Sequence, residues 1–420
     1  MRHLIVGNGP AGISAARTLR RIAPKDQVAV LSEEAQPFYS KVLTSYYVGG
    51  KVPYDKMVLA DLEGLQDEKL QLLTGKRTIR LNSTTRELTL SGGERVQYDR
   101  LLLASGAEPF LPPIEGVGGQ GRTPLPGVFT LWTHDDALRL KKWVREGQRA
   151  VVVGAGLVGL KAAEAFLMQG LSVTVVELLD RILPQVLVAE DAAIVQNALE
   201  QRCLTLRTGT GLAQVDGEGR VQRVELTDGT SLDCDLVVIA TGVRPNLTLA
   251  KAAGIAFGRG ILVDGYMETS VPGIYAAGDV AEGWDIARGR RFPNPTWGNA
   301  SQQGRVAAYN MAGLRKLFQG TVTLNSFTFL GFSMAAVGIT QPEGDFLTVK
   351  KYVNPKTGDY RKLILLGDRL VGGVAMGDLR MAGLWRGLIA SRSSIASVAE
   401  AMLPHRWSYA ATHGLELVSL

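Results

Sequence analysis

At 420 residues, 46% hydrophobic and 20% charged, the chain exceeds one ordinary core and is too apolar for disorder, so two or three globular domains are expected. Two cysteines, Cys203 and Cys234, are too few for a disulfide framework, an iron–sulfur cluster or a four-cysteine zinc site, which leaves any redox chemistry to an organic cofactor. The net charge of +6 suits an acidic partner or reflects the usual scatter among enzymes, and basic residues interleaved with acids, without an arginine-rich arm, argue against a nucleic-acid role.

The first element follows Met1 almost at once. His3-Leu4-Ile5-Val6 is an apolar run with strand character, too short for a signal-peptide core. No later stretch is long and uninterrupted enough for a bilayer, so no membrane span and a cytoplasmic location are expected. Gly7-Asn8-Gly9-Pro10-Ala11-Gly12 comes next, and Ile13 to Leu19 has helical spacing. A dinucleotide-binding turn needs glycine at these three points. Gly7 permits the tight turn, Gly9 lets a pyrophosphate approach the backbone, and Gly12 lets the helix pack on the strand, so that the phosphate meets the N–H groups of the helix start. The next strand, Val28 to Leu31, ends at Ser32-Glu33-Glu34, where an acid should meet the ribose hydroxyls of an adenosine; Glu33 is preferred over Glu34.

The pattern returns far down the chain. Arg149 to Val153 enters Gly154-Ala155-Gly156-Leu157-Val158-Gly159, and Lys161 to Leu167 leaves it as a helix. The following strand, Val173 to Val176, ends directly in Glu177. A carboxylate there accepts hydrogen bonds from a free 2'-hydroxyl and repels a 2'-phosphate, which favours NAD(H) over NADP(H). Arg181 is either a phosphate ligand or a surface arginine. Cys203 and Cys234 each read as a small buried hydrophobe. After Gly320 the pattern changes to short strands, including Leu363 to Leu366 and Leu370 to Met376 around the turn Gly367-Asp368. This predicts an antiparallel sheet, with helices around Ala382 to Ile389 and Ile395 to Met402.

Four further segments carry a family resemblance: Tyr98 to Ala107, containing Ala104-Ser105-Gly106; Cys234 to Asn246, containing Thr241-Gly242; Thr269 to Val280, containing Gly278-Asp279; and Trp297 to Gly304. With the two glycine turns they resemble the two-dinucleotide-binding-domain flavoproteins related to glutathione reductase, in the branch lacking redox cysteines. The resemblance implies an α/β fold with two Rossmann-like domains, for FAD and NAD, plus a C-terminal α+β domain with an antiparallel sheet. It assigns residues 1–118 and 245–320 to FAD, 119–244 to NAD(H) and 321–420 to the C-terminal domain, with boundaries near Gly116 to Gly127, Asn246 and Gly320. Asp279 would accept a ribityl hydroxyl of FAD, with Gly278 admitting the flavin chain. The Trp297 helix would point at the flavin pyrimidine edge and stabilise negative charge there; Trp297 and Asn299 either touch the flavin or serve as helix-start packing and capping.

In the disulfide reductases, cysteine follows the second strand. Here Pro37 to Tyr47 contains no sulfur, which excludes thiolate chemistry at this place. Tyr39-Ser40-Lys41 is instead similar to a segment of rubredoxin reductases and of the flavin module of assimilatory nitrite reductases, where a basic residue lies near the flavin and its phosphates. Lys41 is therefore a site candidate, or else a solvated lysine. The Leu403-Pro404-His405-Arg406 segment and His413 do not reproduce the catalytic His and Glu that disulfide reductases carry in this domain. The resemblance implies hydride exchange between nicotinamide and FAD, and electron exchange with an iron–sulfur protein or a cluster-bearing subunit. One setting is the FAD subunit of a hetero-oligomeric oxidoreductase such as a tungsten-containing aldehyde oxidoreductase; an NADH oxidase using dioxygen and a redox-gated interaction flavoprotein are the alternatives.

Overall fold

A computed structural model describes residues 1–119 and 122–403. They form two compact units, one comprising Met1–Gln185, Ala189–Trp284 and Phe292–Gln319, the other Val186–Val188, Asp285–Arg291 and the chain from Gly320. Among the described residues no helix is long and apolar enough to cross a membrane.

The first unit builds the same five-stranded parallel sheet twice. In the first sheet Arg2–Val6 is central, flanked by Gln27–Leu31 and then Gln71–Leu73 on one side, and by Arg100–Leu103 and then Ile274–Ala276 on the other. In the second sheet Arg149–Val153 is central, flanked by Ser172–Glu177 and Thr205–Thr208, and by Leu236–Ile239 and Val128–Phe129. Both central strands are buried after their first arginine, as continuous apolar runs in a two-sided parallel sheet must be. A three-stranded antiparallel insert precedes the return strand in each repeat: Thr78–Asn82, Glu87–Leu90 and Arg95–Gln97 in the first, Leu212–Asp216, Arg223–Leu226 and Ser231–Asp233 in the second. The two crossings between the repeats, Ala107–Pro109 and Val243–Pro245, pair with each other antiparallel.

The helix Pro10–Ile22 packs directly on the helix Trp297–Met311. Glycine makes that approach possible, since a Cβ on Gly304 would lie 2.1 Å from the Ala11 carbonyl oxygen. Asp279 and the start of the second helix are thereby brought to the first glycine turn.

The second unit is an antiparallel sheet in the order Leu324–Phe329, Phe332–Gly338, Arg369–Met376, Tyr360–Leu366, Leu347–Val353. Gly367 and Asp368 form the turn between its two longest neighbours. The helix Ala382–Ser391 buries Trp385 against the sheet, and a Cβ on Gly373 would meet that indole at 2.9 Å. The expected helix from Ile395 is shorter than its apolar spacing suggests, spanning only Ala399–Met402. The Ile395 N–H donates to the Asp368 carbonyl and Ser394 bridges to Arg369, which holds this stretch to the sheet's turn before helical hydrogen bonding begins. Pro404, His405, Arg406 and His413 lie outside the described residues.

Candidate functional site

Each central strand ends in a turn that only glycine can make. Gly7 has φ +110° and Gly154 φ +106°, and a Cβ would lie 2.1 Å from the Ala104 oxygen in the first and 2.4 Å from the Ala240 oxygen in the second. The third glycines serve helix packing: a Cβ on Gly12 or Gly159 would stand 1.9 Å from the Gly7 or Gly154 oxygen. The middle glycines differ in kind. Nothing lies within 4 Å of a Cβ built on Gly9 or Gly156, so the protein's own packing gives no reason for glycine there. Each of these residues is also a helix N-cap with no side-chain cap and no acid in the following turn, so the N–H groups of Pro10–Ile22 and of Leu157–Met168 are left for an anion. Pro10 opens the first helix, Ala11 is buried against the neighbouring helix, and Leu157 and Val158 open the second.

The acids at the two strand ends are used differently. Glu177 is 9% exposed, and its carboxylate accepts the Ala155 N–H at 2.8 Å and the Leu179 N–H at 3.0 Å, fixing the second turn from inside. Its remaining lone pairs stay available to a ribose hydroxyl. Arg181 pairs with Asp180 at 2.7 Å. Glu33, by contrast, is 61% exposed and reaches Arg77 at 3.6 Å. Glu34 turns inward and pairs with Lys41 at 2.6 Å.

The return segments close both cradles. Ser105 donates to the Asn246 carbonyl at 3.2 Å and Thr241 to the Phe110 carbonyl at 2.7 Å, so both hydroxyls hold the crossings in register. Gly106 and Gly242 have positive φ and open space where a Cβ would be. Gly278, also at positive φ, donates its N–H to the buried Gln303 side chain at 2.8 Å. Asp279 follows it. Burial pushes its carboxyl above the usual aspartate range, the positive charge of Lys41 opposes that shift, and no donor among the described residues reaches it. Nearby, Asn299 donates to the Asn294 carbonyl at 2.7 Å while its own buried Oδ1 has no hydrogen-bond partner. Trp297 is 37% exposed, with its ring centroid 5.8 Å from that of Phe38. An unpartnered buried acceptor, a partly exposed indole and an open glycine turn together fit a flavin nucleotide with hydroxyls and a pyrophosphate to satisfy.

Two residues depart from the sequence reading or escape it. Cys203 is exposed rather than buried, because it stands at φ +64° in the turn that ends the Ala189–Glu200 helix; Cys234 is buried, and its thiol is pushed up to about 12 by burial. Tyr39 carries more of the site than its motif suggests, since its buried hydroxyl joins Glu34 to the backbone of His134, 95 residues away. A buried phenol between two charged residues of one short segment is the signal that points to it.

Residues 1–304 match the family model described as pyridine nucleotide-disulphide oxidoreductase. The chain belongs to that family. It is an FAD-dependent NAD(P)H oxidoreductase of this kind. Residues 324–393 also match the rubredoxin NAD+ reductase C-terminal domain. Among curated relatives, a nitrite reductase [NAD(P)H] of Bacillus subtilis is 32% identical over 89% of this oxidoreductase, which spans only 45% of that longer protein. An NADH oxidase of Methanocaldococcus jannaschii is 36% identical over 76% of the chain and 71% of its own length. Of the solved structures, the covalent putidaredoxin reductase–putidaredoxin complex superposes with a TM-score of 0.86 at 25% identity, covering 93% of both chains.

Proposed function

We propose that this flavoprotein carries electrons between NAD(H) and an iron–sulfur protein or cluster-bearing subunit, with which it forms a hetero-oligomer in the cytoplasm. In this reading residues 1–118 and 245–320 hold FAD, 119–244 hold NAD(H), and 321–420 are the C-terminal domain. Bound FAD would supply the redox chemistry, hydride exchange with nicotinamide and single-electron exchange with the partner. The chain binds and orients. Gly7, Gly9 and Gly12, with the amides after Pro10 and Ala11, take the FAD pyrophosphate, and Glu33 takes the adenosine ribose. Asp279 accepts a ribityl hydroxyl beside Gly278, while Ala104, Ser105 and Gly106 wall the chain.

The Oδ1 of Asn299 and the helix start at Trp297 would hold the pyrimidine edge of a bound flavin, and Lys41 would add positive charge near it. Gly154, Gly156 and Gly159, with Leu157 and Val158, take the NAD pyrophosphate; Glu177 takes its ribose and disfavours a 2'-phosphate. Thr241 and Gly242 line that cleft, with Arg181 at its margin. The observation that carries this reading is the carboxylate of Asp279, partly desolvated and with no donor among the described residues, next to an open glycine turn. A protein redox partner draws support from the match to a rubredoxin reductase C-terminal domain and from the likeness to a reductase captured with its protein partner.

The test is anaerobic reduction of the purified FAD-loaded chain by NADH and by NADPH, followed by reoxidation with an oxidised ferredoxin or rubredoxin, or with air. NADH is expected to be preferred by roughly tenfold or more, and the iron–sulfur protein to outpace dioxygen. Fast reoxidation by air alone would favour the second reading, an NADH oxidase, which the 36% identity to such an enzyme supports.

A further inference from the structure

Between the two repeats runs a chain of polar contacts that nucleotide binding does not require. The Glu34 carboxylate accepts the Tyr39 hydroxyl at 2.5 Å through one oxygen and pairs with the Lys41 ammonium at 2.6 Å through the other. The same Tyr39 oxygen accepts the His134 N–H at 2.8 Å, at the first residue of the helix His134–Trp143. Burial and the neighbouring carboxylate drive the Tyr39 phenol well above its ordinary range, so it stays a neutral donor. Lys41 stands 5.7 Å from the centroid of Trp132 and acts electrostatically on Asp279, while Phe38 packs against Trp297. The short segment from Phe38 to Lys41 therefore converges on the two residues assigned above to the flavin.

We propose that Glu34 is not a ribose ligand but the counter-ion and positioning residue of Lys41, locking the ammonium, through Tyr39, where it tunes the reduction potential of bound FAD. This rests on the FAD assignment of the first site. Both Glu34 oxygens already accept strong donors, and the pair is partly buried, with side-chain exposures of 21% for Glu34 and 38% for Lys41, so the carboxylate is aimed along the segment. The exposed Glu33 is left as the acid that can turn toward a ribose. Reduction adds negative charge to the flavin. A fixed ammonium favours the reduced form, and a carboxylate beside that ammonium offsets part of its field.

The experiment is a dye-equilibrium titration of the FAD-loaded full chain, alongside a fluorescence titration of FAD into the apoprotein. Glu34→Gln removes the counter-ion and should move the reduced-to-oxidised ratio at fixed potential about tenfold toward reduced, about 30 mV for a two-electron couple. FAD affinity should stay within about threefold of the parent, since no ribose contact is lost. Lys41→Met should move the ratio the opposite way, and Tyr39→Phe, which keeps both charges, should move it less than Glu34→Gln. An unmoved ratio in Glu34→Gln, or a loss of FAD affinity of about tenfold or more such as a ribose ligand would give, overturns the proposal while leaving the FAD site intact. Should Glu34→Gln fail to fold, the Lys41→Met ratio decides alone, and no shift toward oxidised overturns it. A parent chain that binds no FAD overturns the functional reading itself.

Discussion

Arg2–Val6 and Arg149–Val153 are the central strands of two copies of one design, with the same order in four of the five strands, the same antiparallel insert and glycine turns that agree closely in φ. At the glycine turns the copies remain alike, because positive φ and the close approach of a carbonyl oxygen admit only glycine and leave the helix-start amides open. Beyond the turns they diverge. The strand end of the second copy buries Glu177 and ties it to two backbone N–H groups, whereas that of the first exposes Glu33 and turns Glu34 toward Lys41. The edge strands differ as well: Ile274–Ala276 leads to the partly desolvated Asp279, and Val128–Phe129 leads to Thr133, which caps a helix. A duplicated fold thus keeps what the backbone must do twice and changes what side chains do once.

The comparison is broken most severely at the turns. Gly7→Ala and Gly154→Ala each force a Cβ against a carbonyl oxygen at positive φ, and both should destabilise by about 3 kcal/mol or more. Thermal melts, flavin absorbance and NADH-driven bleaching separate them: Gly7→Ala should lose FAD, and Gly154→Ala should keep it while losing bleaching. Equal loss of FAD in both would mean that the two cradles are not independent.

Gly9→Ala and Gly156→Ala sharpen the same contrast, since no protein atom opposes a methyl group at either place. Melting of the apoprotein should change by less than about 0.5 kcal/mol. FAD affinity in Gly9→Ala, and NADH affinity in Gly156→Ala, should fall by about tenfold or more, a loss of at least about 1.4 kcal/mol. A stability loss without a ligand effect would make these glycines structural.

The acids give a smaller effect of opposite kind in the two copies. Glu177→Ala leaves the Ala155 and Leu179 N–H groups without their acceptor, so it should cost about 1–3 kcal/mol in urea melts as well as weakening NADH binding. Glu33→Ala, at an exposed residue, should cost less than about 0.5 kcal/mol and change FAD affinity alone.

What was legible in the sequence follows from these distinctions. The strand, glycine turn and helix can be read because strand burial and positive φ constrain residue type locally, and the α/β class with a C-terminal antiparallel sheet follows from their order. Spacing prefers Glu33 over Glu34 for a ribose but cannot show what Glu34 does instead, since its partner Tyr39 is fixed by a backbone group 95 residues on. Cys203 looked like core because small hydrophobes usually are, but a left-handed turn after a helix carries it outward. The helix expected from Ile395 had the right apolar spacing, yet a hydrogen bond to Asp368 holds its first residues to the sheet's turn.

The least disruptive change is at Asp279, an acid for which the second copy has no counterpart. Burial raises the Asp279 carboxyl above the ordinary aspartate value of 3.8, so in the apoprotein part of it remains protonated where an exposed aspartate would be ionised. A raised folded pKa means that the native apoprotein binds more protons than the unfolded chain, and stability falls as pH rises through the interval above 3.8. Ribityl hydroxyls donating to this carboxylate in the proposed complex would favour its charged form and pull the pKa down again. FAD binding should then release a proton and strengthen with rising pH across that interval, until the apoprotein carboxyl is fully ionised. Fluorescence titrations over a pH series test the slope, and Asp279→Asn, which keeps the shape but not the charge, should bind with a flatter profile. An unchanged slope in the variant would assign the proton to another group and remove Asp279 from the FAD contacts.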